Sequence, residues 1–275
     1  MNYRHAYHAG NFADVFKHIV LMRLVEYMKR KEKAFRVYDI HAGLGSYRLD
    51  SEEAAKTEEW KAGIGAVLDA PVPPAVAALI APYLDAVKAG GDAVYPGSPR
   101  LVRDLLRKQD RLSLYELHPE DHAVLARNFS GDFQTRVTHL DGWLVAGAHV
   151  PPKEKRGLLL ADPPFEDGQD FDRMVDLLQK CAHRWAGGTV ALWYPLKRRS
   201  HTDDWLETLT MLKHPDLVSI ELTIREPRAA SMLNGCGMII ANPPYTLRSE
   251  METALPWLVR VLRADKGAAY RIKKL

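Results

Sequence analysis

Residues 157–165 read Gly-Leu-Leu-Leu-Ala-Asp-Pro-Pro-Phe, an apolar run that closes on an acid, two prolines and an aromatic ring. A short apolar run bounded by turn residues predicts a buried strand. The Asp162 carboxylate and the Pro163 carbonyl can accept both hydrogens of a planar amino group, and neither proline offers a competing N–H. Phe165 adds a face on which a base can stack. The stretch therefore indicates either a loop that holds an exocyclic amino group or an ordinary Asp-Pro turn.

Seven short apolar or β-branched runs predict the strands of one sheet. They lie at residues 35–40, 112–117, 136–140, 157–161, 189–194, 217–224 and 237–241. Helical patterns separate most of them, including an amphipathic helix over residues 14–29 and a helix that Ser98 caps, with Pro99 in its first turn. The alternation of strands and helices predicts an α/β fold with a mostly parallel, doubly wound sheet.

The residues that follow these strands predict a ligand site, because such sheets bind ligands at the carboxyl ends of their strands. The glycine turn His41–Ser46 follows the first strand and lets the backbone approach a nucleoside closely. Glu116 ends the second strand, where it can take two ribose hydroxyls, and Asp141-Gly142 ends the third, beside an adenine edge. Either acid could instead cap the next helix. With Asp162 after the fourth strand, this order favours adenine-N6 methylation with S-adenosylmethionine as the methyl donor.

A second motif of the same kind, Asn242-Pro243-Pro244-Tyr245, follows the apolar run at residues 237–241. This run comes after every strand that is expected to contact the donor. We therefore expect the second motif toward an edge of the sheet, away from the glycine turn. It is interpreted as a structural turn.

The distance between Gly43 and Glu116, about 70 residues, exceeds the roughly 30 residues of a simple strand-helix-strand unit. The excess contains helical patterns and the proline-rich linker 71–74. We expect a small helical insertion over residues 51–95, packed over the ligand edge of the sheet. Residues 1–50 would then hold an amino-terminal cap, a helix and the first strand, and residues 96–275 the remainder of the main domain.

The amino-terminal segment is rich in histidine and precedes the first helix. Lys17 and His18, near the start of that helix, are placed to reach the carboxylate of the donor. Tyr3, Arg4 and His5 are placed to reach a flipped base or its phosphates, although the segment could simply cover the sheet edge. A zinc site is disfavoured, since no cysteine is close and two histidines alone do not complete a site.

Composition indicates a reduced, cytoplasmic protein without a membrane span. The two cysteines, Cys181 and Cys236, form no CxxC pair, and no apolar stretch approaches the roughly 20 residues of a transmembrane helix. The amino terminus shows no apolar leader. We expect a monomer with no obligate protein partner.

The local clustering of basic residues supports a nucleic-acid partner more strongly than the net charge of +3 does. They lie at residues 29–33, at residues 197–199, at Arg225 with Arg228, and at residues 271–274. Each cluster alone is typical of a solvated face. Together they would form a phosphate-contacting surface if the fold brought them to one side.

Several longer stretches carry a resemblance to one known family. They are YRHAYHAGNFADVFKH (3–18), DIHAGLGSY (39–47), YPGSP (95–99), LYELHP (114–119), LDGW (140–143), LLLADPPF (158–165), ALWYP (191–195) and GMIIANPP (237–244). In these stretches the chain resembles, over essentially its whole length, the RlmJ-type 23S ribosomal RNA adenine-N6 methyltransferases. The resemblance implies a class I Rossmann-like fold, S-adenosylmethionine without a metal, and one adenine of 23S ribosomal RNA as the substrate.

The resemblance also implies roles for individual residues. The donor contacts would be His18, His41, Ser98, Glu116, Asp141, Gly142 and Asp162, with Lys17 and Gly43 beside them. Asp162 would accept the amino hydrogens together with Pro163, and Tyr3 would contact the substrate. The family motif usually ends in tyrosine, whereas this chain has Phe165, so a phenol hydrogen bond is absent here and only the stacking face remains.

Three other functions stay open at this point. A DNA adenine-N6 methyltransferase would use the same loop, but no DNA-reading module is visible. A protein glutamine-N5 methyltransferase would have Asn where Asp162 stands. A non-catalytic RNA-binding protein on this fold would be expected to lack the set Glu116, Asp141 and Asp162, which is complete here.

Overall fold

A computed structural model describes residues 4–166, 168–212, 214–227 and 232–275. The strands in these ranges are β1 (Arg36–Asp39), β2 (Ser46–Arg48), β3 (Val94–Pro96), β4 (Arg111–Glu116), β5 (Thr135–His139), β6 (Gly157–Ala161), β7 (Thr189–Leu196), β8 (Leu217–Thr223), β9 (Gly235–Ala241) and β10 (Ala269–Lys274). An eight-stranded sheet has the order β10-β8-β9-β7-β6-β1-β4-β5, and β2 pairs with β3 separately.

The helices alternate with the strands of the main sheet. They are α1 (Phe12–Lys29), α2 (Glu52–Thr57), α3 (Ala66–Asp69), α4 (Pro74–Ala89), α5 (Ser98–Leu105), α6 (Pro119–Asn128), α7 (Val145–Ala148), α8 (Asp170–Arg184), α9 (Arg199–Met211) and α10 (Leu247–Leu262). Short 3₁₀ turns lie at His5–Tyr7 and Gly142–Leu144, and one π turn lies at Lys61–Gly65. None of the helices in the described ranges is long and apolar enough to cross a membrane.

Five neighbouring strands of the sheet are parallel. β1 pairs with β4 and β6, β4 pairs with β5, and β6 pairs with β7, all in parallel register. Their carboxyl ends therefore lie along one edge of the sheet, here called the C-terminal rim. β1 lies between β4 and β6, so the strand order reverses at β1. The carboxyl end of β1 is therefore a topological switch point, a position at which such sheets bind ligands.

The other part of the sheet is antiparallel and contains one strand more than we predicted. β9 runs antiparallel to both β7 and β8, and β10 runs antiparallel to β8 at the edge. The prediction of seven strands was wrong because the basic tail 271–274 forms most of β10. Charged side chains on an exposed edge strand hide the strand pattern from a sequence reading and protect the edge from further pairing.

The motif at Asn242 lies at the rim opposite to Asp162. β9 is interior, so the expected position toward a sheet edge was wrong, but its reversed direction brings Ala241 beside Val190 at the start of β7. Asn242 has a φ of +52°, and its side-chain amide donates to the carbonyls of Ala186 and Gly188 at 2.9 and 2.7 Å. The motif is thus a turn that closes the opposite rim.

Helices cover both faces of the sheet, as the alternating side chains of β6 show. Leu158 and Leu160 belong to the core under α1, α4, α5 and α10, whereas Leu159 and Ala161 belong to the core under α7, α8 and α9. Each residue of β6 is buried on one face or the other. A strand that is buried on both faces reads as the continuous apolar run that we used to predict it.

Helix α1 is more deeply buried than the predicted amphipathic pattern indicated. It begins at Phe12 because the Asn11 side chain accepts from the backbone N–H groups of Ala13 and Asp14. It packs against α4, α5 and α10, and most of its residues, including Lys17 and His18, are buried. Polar side chains inside such a helix require partners within the protein.

Residues 51–95 contain the predicted helices, and the longest of them packs against other helices. α4 packs against α1 and α10 through a buried stripe at helical spacing, formed by Val76, Ile80, Tyr83 and Val87. The expected packing over the ligand edge does not hold for α4, because its buried stripe completes the core around α1. The division of the chain at residues 50 and 95 stays a prediction.

We expect Asn242→Ala to lower the free energy of unfolding by about 1–3 kcal/mol, because it removes two hydrogen bonds and forces alanine into the left-handed region. Urea denaturation measures the change. Asn242→Gly loses the same hydrogen bonds without the backbone strain, so its stability should fall between wild type and the alanine variant. An alanine variant as stable as wild type would contradict this account of the turn.

Candidate active site

A cavity of about 540 Å³ opens at the C-terminal rim. The residues that follow β1, β4, β6 and β7 line it, together with the start of α1 and the segment before it. Of the predicted site residues, His5, Lys17, His18, His41, Gly43, Ser98, Glu116, Asp141, Gly142, Asp162, Pro163 and Phe165 all line this cavity. The structure therefore brings together residues that lie up to 160 positions apart in sequence.

Two predicted residues are not part of this lining set. Arg4 is exposed and pairs with Glu120 at 3.1 Å. Tyr3 lies outside the described residues.

Ser98 lines the cavity but does not cap α5, and its contact with the donor stays a prediction. It is the first residue of α5, with Gly97 at the cap position, so the predicted Ser98 cap was wrong. Its hydroxyl donates instead to a carboxylate oxygen of Asp39 at 2.6 Å. Asp39 is fully buried at the end of β1, and burial raises its pKa to about 6, although the hydrogen bond from Ser98 favours the charged form. This pair joins α5 to the switch point of the sheet.

The glycine turn after β1 is held directly by Glu116. The Gly43 N–H donates to one carboxylate oxygen of Glu116 at 2.8 Å, and the His118 N–H donates to the other at 2.8 Å. Gly43 has a φ of +59°, and a Cβ there would lie 2.2 Å from the Tyr47 hydroxyl oxygen. Only glycine fits this position without moving Tyr47. The ends of β1 and β4 thus form one rigid wall of the cavity.

Asp141 and Gly142 form the adjoining wall. The Asp141 carboxylate accepts from the Trp143 N–H at 3.0 Å, so this acid does cap a short helical turn, which was the alternative considered for it. A Cβ at Gly142 would lie 1.8 Å from the Ile40 carbonyl oxygen. The backbone after β5 therefore lies so close to the backbone after β1 that position 142 accommodates only glycine. The Trp143 ring covers His41 at a centroid distance of 4.9 Å.

The centre of the site is the ammonium of Lys17. It lies 2.5 Å from a carboxylate oxygen of Asp162 and 2.8 Å from one of Asp14. Lys17 and Asp14 are almost completely buried, whereas the Asp162 side chain keeps an exposed fraction of 18%. The Asp162 carboxylate thus has one face on a buried cation and another toward the cavity.

Burial and ion pairing act against each other in this cluster. Burial opposes the charged form of Lys17, but the charges of Asp14 and Asp162 outweigh it and raise the pKa of Lys17 well above its usual value. Burial likewise opposes the charged form of Asp14, and the charges of His5 and Lys17 hold its pKa well below the usual value. Lys17 and Asp14 are therefore both ionised at neutral pH.

Two imidazoles, the buried His18 and the half-buried His41, flank this cluster in their neutral form. Burial and the nearby charge of Lys17 lower the pKa of His18 to about 3, and burial followed by the charge of Arg173 lowers that of His41 to about 3. His41 Nδ1 accepts from the Asp162 N–H at 3.2 Å, which fixes the start of the loop. His18 Nδ1 lies 2.8 Å from the Tyr95 hydroxyl, while its buried Nε2 has no hydrogen-bond partner within the described part of the chain.

Aromatic rings form the wall next to Asp162. Phe165 has a φ of +52° and contacts Phe171 and Trp193 at centroid distances of 5.1 and 5.7 Å. Trp193, from β7, also lines the cavity. The left-handed conformation is uncommon for a bulky residue and marks a position that the surroundings impose. In this conformation the Phe165 ring is half-buried and lines the cavity.

The amino-terminal segment passes beside the cavity, and two of its histidines contact carboxylates. His5 Nε2 lies 2.9 Å from the Asp14 carboxylate, and His8 Nδ1 lies 3.0 Å from Glu59. Glu59 is the residue of the segment 51–95 that lines the cavity. No cluster of three metal-binding side chains is found among the residues that the structure describes.

Sequence reasoning did not assign Asp14, Asp39 or Trp193 to the site. Asp14 looked like an ordinary acid in the first turn of a helix, and Asp39 and Trp193 looked like parts of strands. One signal was present for Asp14, since Asp14, Lys17 and His18 have the spacing that places them on one face of a helix. No sequence signal identified their partners after β1 and β6.

The parallel strand order, the glycine turn after β1 and the acids after β4 and β5 define a class I Rossmann-like methyltransferase fold. The chain belongs to the RlmJ family, whose model is described as "Ribosomal RNA large subunit methyltransferase D, RlmJ" and matches residues 32–273.

Relatives support this membership over nearly the whole chain. A protein of Haemophilus influenzae named "Ribosomal RNA large subunit methyltransferase J" is 41% identical over 99% of this chain and 98% of its own length. A protein of the same name from Escherichia coli is 38% identical over 94% of this chain and 92% of its own length. A crystal structure of a Legionella pneumophila protein, 33% identical, superposes with a TM-score of 0.87 over 97% of this chain and 98% of its own.

We expect Lys17→Met to lower the free energy of unfolding by about 3–5 kcal/mol at pH 7, because Asp14 is then buried without its ammonium partner. The loss should shrink toward pH 4. Without the charge of Lys17, burial raises the folded-state pKa of Asp14, and protonated Asp14 needs no cation. Urea denaturation between pH 4 and pH 7 measures both effects.

Lys180→Met removes an exposed ion pair with Asp176 and serves as the control, with an expected change below about 1 kcal/mol. The double variant Lys17→Met/Asp14→Asn should recover part of the loss. A loss that is the same at pH 4 and pH 7 would show that ion pairing is not its cause.

Proposed function

We propose that the protein methylates the N6 amino group of an adenine in 23S ribosomal RNA, with S-adenosylmethionine as donor. The observation that carries the proposal is the Asp162 carboxylate, which faces a cavity at the C-terminal rim beside the half-buried ring of Phe165. Membership of a ribosomal RNA methyltransferase family supports the substrate class. The choice of adenine N6 rests on the chemistry of the loop.

The cavity fits the donor on the side of β1, β4 and β5. Glu116 and Asp141 line it with carboxylates that suit hydroxyl and amino groups, and the backbone at Gly43 and Gly142 leaves no room for side chains. The buried Nε2 of His18 is a polar atom that a ligand can satisfy. S-Adenosylmethionine would supply an electrophilic methyl group at the junction of this wall with Asp162.

The acceptor side of the site is provided by the loop after β6. Asp162 and the Pro163 carbonyl accept the two N6 hydrogens, which leaves the nitrogen lone pair directed away from them. Because prolines follow Asp162, no loop N–H competes for the carboxylate from positions 163 and 164. Two fixed acceptors align a weak nucleophile, and alignment of this kind is worth several kcal/mol.

Lys17 positions the carboxylate of Asp162. Its ammonium lies 2.5 Å from one carboxylate oxygen, and the exposed part of the carboxylate remains able to accept hydrogen bonds from a ligand in the cavity. An adenine amino group becomes acidic only as it acquires the methyl group, and a moderate acceptor suffices for that late proton. Asp14 stabilises the charge of Lys17 from the other side.

The aromatic wall selects a base that has left its stack. A planar purine can stack on Phe165 only when it is flipped out of the RNA, which is easiest in an irregular or exposed element. Phe165 and Trp193 also exclude water from the space beside Asp162, which strengthens hydrogen bonds there.

The experiment that tests the proposal is incubation of the protein with labelled S-adenosylmethionine and 23S ribosomal RNA, with DNA and protein extract in parallel. We expect label in RNA as N6-methyladenosine after digestion to nucleosides. Asp162→Ala should lower the rate at least 100-fold, because one acceptor and the anionic charge are lost. The variant should stay folded, since Lys17 keeps its contact with Asp14.

Asp172→Asn, an exposed acid at the start of α8, is the matched control and should methylate at the wild-type rate. Label in DNA or in glutamine would replace the proposed substrate by another. Activity of Asp162→Ala near that of wild type would exclude the proposed acceptor.

We expect Phe165→Tyr to keep the rate within about threefold, because the stacking face is unchanged. Phe165→Ala should lower kcat/KM for RNA by about 10- to 100-fold, which corresponds to the loss of one base-stacking contact. Steady-state methylation at varied RNA concentration measures both variants. Equal rates for all three proteins would show that position 165 does not contact the base.

A further inference from the structure

The four basic clusters seen in the sequence are divided between the two rims of the sheet. Lys197 and Arg198 directly follow β7, and Arg225 follows β8, so these residues lie at the C-terminal rim. The cluster 29–33 ends α1 and precedes β1 at the opposite rim, and the tail 271–274 lies along the edge strand β10. Arg228 lies outside the described residues. A single surface that contains all four clusters is therefore excluded.

Lys197 and Arg198 stand on a fixed backbone. The Lys197 carbonyl accepts from the Asn234 side chain at 3.1 Å, and the Arg198 carbonyl accepts from the Thr202 N–H at 3.3 Å. Both side chains are exposed, and no ion pair in the described part of the chain engages either of them. The adjacent Arg199, by contrast, is bound to Asp203 and Glu221 at 2.7 and 2.8 Å.

The charges around the mouth of the cavity are unevenly distributed. The acidic side, next to β4, β5 and the helical segment, carries Glu59, Glu116, Asp121 and Asp141, whereas the side of β6 and β7 carries Lys197 and Arg173 together with Glu166 and Asp170. The charge of Lys197 acts on His8, where it opposes the increase in pKa that the hydrogen bond from His8 to Glu59 causes. A phosphate is repelled by the acidic side and attracted to Lys197.

We propose that Lys197 and Arg198 contact phosphates of the RNA strand next to the base that enters the cavity. The RNA then approaches across the loop between β7 and α9, and the acidic side remains with the donor. This inference rests on the proposed RNA substrate and adds the direction from which the RNA arrives.

The double variant Lys197→Ala/Arg198→Ala tests the inference with a 23S ribosomal RNA fragment as the probe. Fluorescence anisotropy at 50–200 mM NaCl gives the salt dependence of binding. The slope of log Kd against log salt concentration should fall by about 1.5, as expected for the loss of two phosphate contacts. In steady-state methylation, KM for RNA should rise about tenfold, while kcat and the Kd for S-adenosylmethionine stay within about twofold.

Lys31→Ala/Lys33→Ala is the matched control, because it removes the same charge from exposed residues at the opposite rim. Its KM and salt slope should equal those of wild type. Equal effects in the two double variants would show that only net charge matters and would overturn the inference. So would an unchanged salt slope in Lys197→Ala/Arg198→Ala, or a fall in kcat without a rise in KM.

Failure of the proposed function has a different signature. It would appear in the wild-type protein as the absence of N6-methyladenosine from RNA. Failure of the RNA approach would appear only in the comparison of the two double variants, and the binding measurement reports on it without any methylation.

Discussion

The site depends on the two ion pairs that the buried ammonium of Lys17 forms with Asp14 and Asp162. A charge inside a helix that is covered on nearly all sides costs several kcal/mol unless it is paired. Asp14 supplies one partner from the preceding turn of α1, and Asp162 in the loop after β6 supplies the other. Packing of α1 against the sheet therefore also sets the position of the Asp162 carboxylate.

The direction of the strands decides which loops can take part. Five parallel strands carry their carboxyl ends to one rim, where their loops form a common cavity. β9 runs the other way, so a motif with nearly the same residues as the loop after β6 closes the opposite rim. Two similar tetrapeptides thus differ in role because the sheet places them at opposite ends.

The walls of the cavity differ in their chemistry. Close backbone approach at Gly43 and Gly142 and the carboxylates of Glu116 and Asp141 make one wall suited to a nucleoside. Aromatic rings and Lys197 make the other wall suited to a base and to phosphate. In the proposed reaction, one cavity would hold a donor and an extruded nucleotide together because the two walls suit different groups.

The sequence by itself determined the α/β class, seven of the eight strands of the main sheet, and the order of glycine turn, Glu116, Asp141 and Asp162. These features are local, since apolar runs and turn residues act over a few positions. Only the tertiary structure decided the reversal of β9, the eighth strand β10, the role of Ser98 as a partner of Asp39, and the Lys17 cluster. Each of these joins residues far apart in the chain, and their energies depend on distance and burial, which a linear pattern does not contain.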